Sequence, residues 1–130
     1  MFDDLKGADL PAGEFLVTGS GPLGAKGIRQ VNDIDIVVTT QLWEYLQSQY
    51  GAKIEDGVKK IAIPETRIEV LGKGSVYFGT EKEIRSRIQQ AEIIDGLPFE
   101  RLEKVSDIKR KLGRVKDLRD IKLIEEYIAK

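Results

Sequence analysis

Asp33 and Asp35, in Asp33-Ile34-Asp35, are the first residues in the chain whose type and spacing can do chemistry. Side chains alternate along an extended strand, so both carboxylates leave one face while Ile34 and Ile36 leave the other. Neighbouring carboxylates repel unless a cation is present. Magnesium suits such a pair, because it is bound through a few carboxylates and completed by substrate phosphates. The plain alternative is a half-exposed strand with its polar face in water. Glu69, in Ile68-Glu69-Val70, repeats the pattern with an acid between two apolar residues. If its strand neighbours that of Asp35, three carboxylates can hold two metal ions about 4 Å apart, one of them placed to accept a proton.

Upstream of the acid pair, Gly19 to Gly24 spells GSGPLG and fits the G-x-G-x-x-G pattern of dinucleotide sites. That reading fails on spacing. A dinucleotide site needs a helix of two or three turns and a second strand ending in an acid about 20 residues on, whereas Asp33 arrives nine residues after Gly24. A P-loop is excluded as well, since Ala25 separates Gly24 from Lys26 and no Ser or Thr follows the lysine. Downstream, Lys104 to Lys122 holds eight Lys or Arg and three acids in a chain of net charge −1. This basic stretch is either a solvated helix face or the holder of one polyanion such as a nucleoside triphosphate. It contains no aromatic residue, which places nucleic-acid binding last among the readings.

Composition narrows the chemistry further. The 130 residues contain no Cys and no His, so thiolate zinc sites, thiol nucleophiles, imidazole ligands and Ser-His triads are all excluded. What is left are carboxylates, Lys, Arg, Tyr, hydroxyls and an oxygen-liganded ion such as magnesium or manganese. Length, 41% hydrophobic residues and 33% charged residues fit one domain over 1–130 with a substantial core. No apolar run approaches the roughly 18 residues of a membrane span. Met1 to Leu10 carries acids where a secretory signal has a basic and then an apolar stretch, so a cytoplasmic protein without membrane association is the expectation.

The elements that must position these residues follow from periodicity. Glu14 to Gly19 and Asp33 to Thr39 read as strands joined by a glycine-punctuated loop. Thr40 is the expected cap of a helix with Leu42, Trp43, Leu46 and Tyr50 on its packing face and Gly51 as its stop. Val58 to Ile63, Arg67 to Leu71 and Val76 to Phe78 are further strand candidates, and Thr80 caps a helix from about Glu81 to Ala91. A closing helix pair is expected, with Val105, Ile108 and Leu112 before Gly113 and Leu118, Ile121, Ile124 and Ile128 after it. The class is therefore α+β: a small mixed sheet packed by helices, its core over about 12–80 and a helical segment over about 81–130.

The order Gly19-Ser20, Asp33-Ile34-Asp35 and a strand bearing Glu69 resembles the signature of the polymerase-beta-like nucleotidyltransferase superfamily. Ser106-Asp107-Ile108-Lys109, with Gly113-Arg114-Val115-Lys116-Asp117-Leu118-Arg119-Asp120, resembles the helical ending of small bacterial nucleotidyltransferase-like proteins, including those of toxin–antitoxin and abortive-infection systems. The likeness runs from about Glu14 to Ile128. Two departures stand out: Gly21-Pro22-Leu23-Gly24 where common members form a helix directly, and no added substrate-recognition domain. The resemblance implies a nucleotidyltransferase-like fold and transfer of a nucleoside monophosphate from a nucleoside triphosphate to a hydroxyl acceptor on a protein, an RNA or a small molecule. Asp33, Asp35 and Glu69 would be catalytic and metal-binding, with Mg²⁺ or Mn²⁺ as cofactor. Gly19, Ser20, Lys109, Arg114 and Lys116 would bind the nucleotide, with Lys26 and Arg29 as candidates to gate the phosphates. The alternative is a non-catalytic interaction module of the same fold with a protein partner, such as an antitoxin-like protein.

Overall fold

Apolar residues at every second position make the central strands, and the computed structural model, which describes residues 2–130, shows where each face goes. Strands β1 (Phe15–Thr18), β2 (Ile34–Val38) and β5 (Ile68–Leu71) form the middle of the sheet. β1 runs antiparallel to β2, and β2 runs parallel to β5. β4 (Val58–Ala62) and β3 (Lys53–Glu55) extend one side by antiparallel pairing, while β7 (Leu97–Phe99) and β6 (Glu92–Ile94) extend the other. The order among the described residues is β3-β4-β5-β2-β1-β7-β6, a mixed sheet.

Each face has its own core. Phe15, Val17, Ile34, Ile36, Val38, Ile68 and Val70 pack beneath α1 (Asp3–Ala8) and α3 (Thr40–Tyr50) through Leu5, Leu42 and Leu46. On the opposite face Leu16, Val37 and Leu71 meet Ile84 of α4 (Glu81–Gln89) and Ile108 of α5 (Leu102–Leu112). A third cluster, Leu23, Leu102, Val105 and Ile124, joins α2 (Gly21–Ala25) to α5 and α6 (Val115–Ala129). The class is α+β, with the two last helices packed together as the periodicity anticipates.

Several elements differ from their sequence expectation. Thr39, not Thr40, caps α3: its hydroxyl accepts the Leu42 N–H at 3.3 Å while Thr40 is already helical. The Val76 to Phe78 strand does not form, because Ser75 N–H bonds Gly72 and Phe78 N–H bonds Ser75, giving consecutive turns. The sheet also continues past residue 80 into β6 and β7, and Leu5 of α1 is buried, so the core reaches well beyond 12–80. On α6 only Ile121 and Ile124 of the four expected apolar positions are buried; Leu118 and Ile128 are exposed. Asp117 and Asp120 take the buried face in their place. Within α3, Leu42 and Leu46 are buried, Trp43 packs at the core margin and Tyr50 is exposed.

Candidate active-site cleft

The strand register decides which side chains meet. Asp35 pairs with Glu69 across β2 and β5 and with Thr18 across β1 and β2. Ile34, Ile36, Ile68 and Val70 belong to the core under α1 and α3, so alternation sends Asp35 and Glu69 out of the other face. There they open into a cleft of about 570 Å³ bounded by β2, β4, β5 and the closing helix pair. Asp33 lies one residue ahead of β2, is exposed and lines the same cleft. Gly19, Ser20, Lys109, Arg114 and Lys116 line it too. All eight residues expected to be catalytic, metal-binding or nucleotide-binding thus line one cavity.

Gly19 ends β1 with φ +63, and a Cβ at this position would sit 3.2 Å from Asp35 Oδ2. The turn lies directly against the carboxylate, in a conformation that glycine adopts at little cost. Immediately after it comes α2, whose second residue is Pro22, well placed because a first-turn residue needs no N–H partner. The glycine-punctuated loop expected between the first two strands thus carries a short helix over Gly21–Ala25.

Asp35 and the helix pair live in different electrostatic settings. Burial, then repulsion from Glu69 and Asp33, pushes the Asp35 carboxyl up to about 6, against weaker attraction from Lys60 and Lys109. The Ser20 hydroxyl, in contrast, is enclosed. It accepts from Arg29 Nη2 at 2.8 Å and Lys109 Nζ at 3.3 Å and donates to Asp120 Oδ2 at 3.4 Å. Arg29 makes a two-pronged contact with Asp120, at 2.7 and 2.8 Å. Lys109 is buried, 3.0 Å from Asp120 and 3.8 Å from Asp117. Burial raises the affinity of Asp117 and Asp120 for protons, but the Arg114 bonds to Asp117 and the Arg29 and Lys109 bonds to Asp120 outweigh it, so both carboxyls sit below the ordinary range.

These contacts change the role expected of two basic residues, Lys109 and Arg114. Lys109 is a neutralised member of a buried network rather than a free charge reaching along the cleft. Arg114 donates from Nε to Asp117 Oδ2 at 2.6 Å, and its backbone N–H donates to the same carboxylate at 3.2 Å, which ties it to the start of α6. Lys116 remains exposed at the rim. Of the two gating candidates, Arg29 faces the cleft, whereas Lys26 is bonded to Glu92 at 2.8 Å.

Among the further residues that line the cleft, Lys60, Tyr77 and Asp120 were not singled out in the sequence. Lys60 comes from β4 and stands 3.4 Å from Glu69 Oε1. Tyr77 is buried in the turn segment after β5, and its hydroxyl is held strongly in the protonated form by burial and by Asp117. Asp120 completes the set as the hub of the helix-pair network. Asp120 had a signal: it stands one turn from Asp117 on a helix where acids replace apolar residues. Lys60 had none beyond period-two alternation in β4.

As a test of metal fit, no group of three or more acidic side chains among the described residues is gathered to hold an ion. Glu69 is instead engaged with Lys60. Asp35 is the better ligand: it is half-buried, and its pKa is raised by burial first and by repulsion from Glu69 and Asp33 second. Asp33 and Asp35 together match the one or two carboxylates with which magnesium is held when phosphates complete its shell. Comparison of the chain with family models, with curated proteins and with solved structures finds no match.

Proposed function

We propose that the chain is a nucleotidyltransferase of the polymerase-beta-like type, moving a nucleoside monophosphate from a nucleoside triphosphate to a hydroxyl acceptor. The observation that carries this reading is the contact between the Gly19-Ser20 turn and Asp35, on a strand whose register sets Asp35 beside Glu69. A bare backbone turn next to half-buried acids suits a polyphosphate that reaches the acids through a cation.

In this mechanism the backbone amides around Gly19 bind phosphate oxygens, and the missing Cβ permits their approach. Asp33 and Asp35 would hold Mg²⁺ or Mn²⁺, which supplies charge neutralisation at the α-phosphate and the leaving pyrophosphate. Arg29 and Lys109, fixed by Asp120, hold the Ser20 hydroxyl and keep the turn in place. Glu69 takes the proton from the attacking acceptor hydroxyl as it adds in line to the α-phosphorus and pyrophosphate departs. Lys116, at the rim, meets the phosphates or the acceptor.

The second reading, a non-catalytic interaction module with a protein partner, is favoured by one observation: Glu69 is held by Lys60 and the acids are not gathered. Labelled-nucleotide transfer separates the two. Each of the four triphosphates is offered with protein, RNA and small-molecule acceptors and magnesium. Label transfer that Asp35→Asn abolishes supports the enzyme; no transfer and no metal-dependent nucleotide binding supports the module.

A further inference from the structure

Lys60 stands where a two-ion site would need a second cation. It pairs with Leu71 across β4 and β5, and Leu71 belongs to the face that carries Glu69 and Asp35. Its ammonium lies 3.4 Å from Glu69 Oε1 and 3.4 Å from Glu55 Oε1, and only 18% of its side chain is exposed. The ammonium is thus held between two carboxylates. A fixed positive charge at this distance competes with a dication for the same carboxylate oxygen and repels one from the space beside it.

We propose that the Lys60 ammonium takes the place of a second divalent ion beside Glu69, so that the cleft binds one divalent ion per nucleotide, on the side of Asp33 and Asp35. Lys60 is then a positioning residue: it holds Glu69 and sets the number of ions. The inference rests on the nucleotidyltransferase reading, and adds to it that three acids do not here make a two-ion centre. It also accounts for why the acids are not gathered among the described residues: Glu69 already has its cation.

Equilibrium dialysis of the full chain with Mn²⁺ and a non-hydrolysable α,β-methylene triphosphate tests it, with bound manganese and bound nucleotide counted separately. Wild type and Lys60→Arg are expected to bind one manganese per nucleotide. Lys60→Met, which keeps the apolar stem and loses the charge, is expected to bind two, a twofold rise. Lys60→Gln serves if the methionine variant does not fold, and circular dichroism checks each. Two ions in wild type, or one in both uncharged variants, overturns the proposal. Nucleotide bound without any manganese also overturns it. If wild type binds no nucleotide, the nucleotidyltransferase reading itself fails, an outcome told apart from the others by the nucleotide count.

Discussion

The two walls of the cleft solve the problem of buried charge in opposite ways. On the helix-pair wall each anion has cations against it: Asp120 has Arg29 and Lys109, and Asp117 has Arg114 and Lys109. On the strand wall burial, and then repulsion from Glu69 and Asp33, raises the Asp35 pKa to about 6. The first wall is finished, and its charges serve the fold. On the second, Lys60 is paired with Glu69, while the burial of Asp35 costs stability. Acids that line one cleft therefore differ in the sign of their pKa shift: Asp35 is raised, and Asp117 and Asp120 are lowered.

Removing an acid from each wall should have opposite consequences, and the helix-pair wall gives the larger effect. Asp120→Ala leaves Lys109 buried beside a single, more distant carboxylate and frees Arg29. Breaking a buried pair from one side costs about 3–5 kcal/mol. Thermal unfolding should show a fall of many degrees, and an unchanged midpoint would show that the network contributes nothing to the fold. Lys109→Met belongs to the same group, so a loss of nucleotide affinity in that variant has to be read beside its stability.

The opposite sign is expected for Asp35→Asn. In the folded chain this carboxyl protonates near pH 6, and in the unfolded chain near the ordinary aspartate value. Folding thus favours the protonated form, and Asp35 takes away stability as pH rises from about 4 to about 6. A shift of this size corresponds to up to about 3 kcal/mol above pH 6. Metal-free Asp35→Asn should be the more stable protein in urea at pH 7.5, with the gain gone near pH 4. Asp117 and Asp120, with lowered pKa values, act in reverse: their contribution is present at neutral pH and is lost as pH falls below the ordinary aspartate range. A destabilised Asp35→Asn at pH 7.5 would make Asp35 a structural hydrogen-bonding residue.

Much of this contrast was legible beforehand, though unevenly. Asp35 and Glu69 follow from alternation, because an acid flanked by isoleucine or valine in a strand must leave the apolar face, and Asp33 stands two residues before Asp35. The Gly19-Ser20 turn and the closing helices were equally visible. The outer strands were not. β3 and β6 are short, Pro98 sits within β7, and each hairpin is made by its turn: Asp56-Gly57 and Asp95-Gly96 have positive φ at both residues. An Asp-Gly pair is a known hairpin signal, and it was there to be used. The pairing of Lys60 with Glu69 depends on the register of β4 against β5, and the burial of Lys109 on contacts with α6, neither of which a local pattern encodes.

Smaller effects sharpen the comparison. Gly19→Ala forces a side chain into positive φ and brings its Cβ to 3.2 Å from Asp35 Oδ2, for an expected cost of about 1 kcal/mol. Chemical denaturation measures the cost, and phosphate analogues should bind more weakly if the turn cradles them. Lys116→Ala, at the exposed rim, should leave stability within about 0.5 kcal/mol of wild type. A larger change in its denaturation midpoint would mean that the rim, too, is part of the paired wall.

Calorimetric titration of a non-hydrolysable triphosphate into wild type and Asp35→Asn, with and without magnesium, tests the central claim most directly. Binding in wild type that requires magnesium, and its loss in the more stable Asp35→Asn, is the expected result. Absence of magnesium-dependent binding in wild type at millimolar concentrations, or equal binding by both proteins, would contradict it.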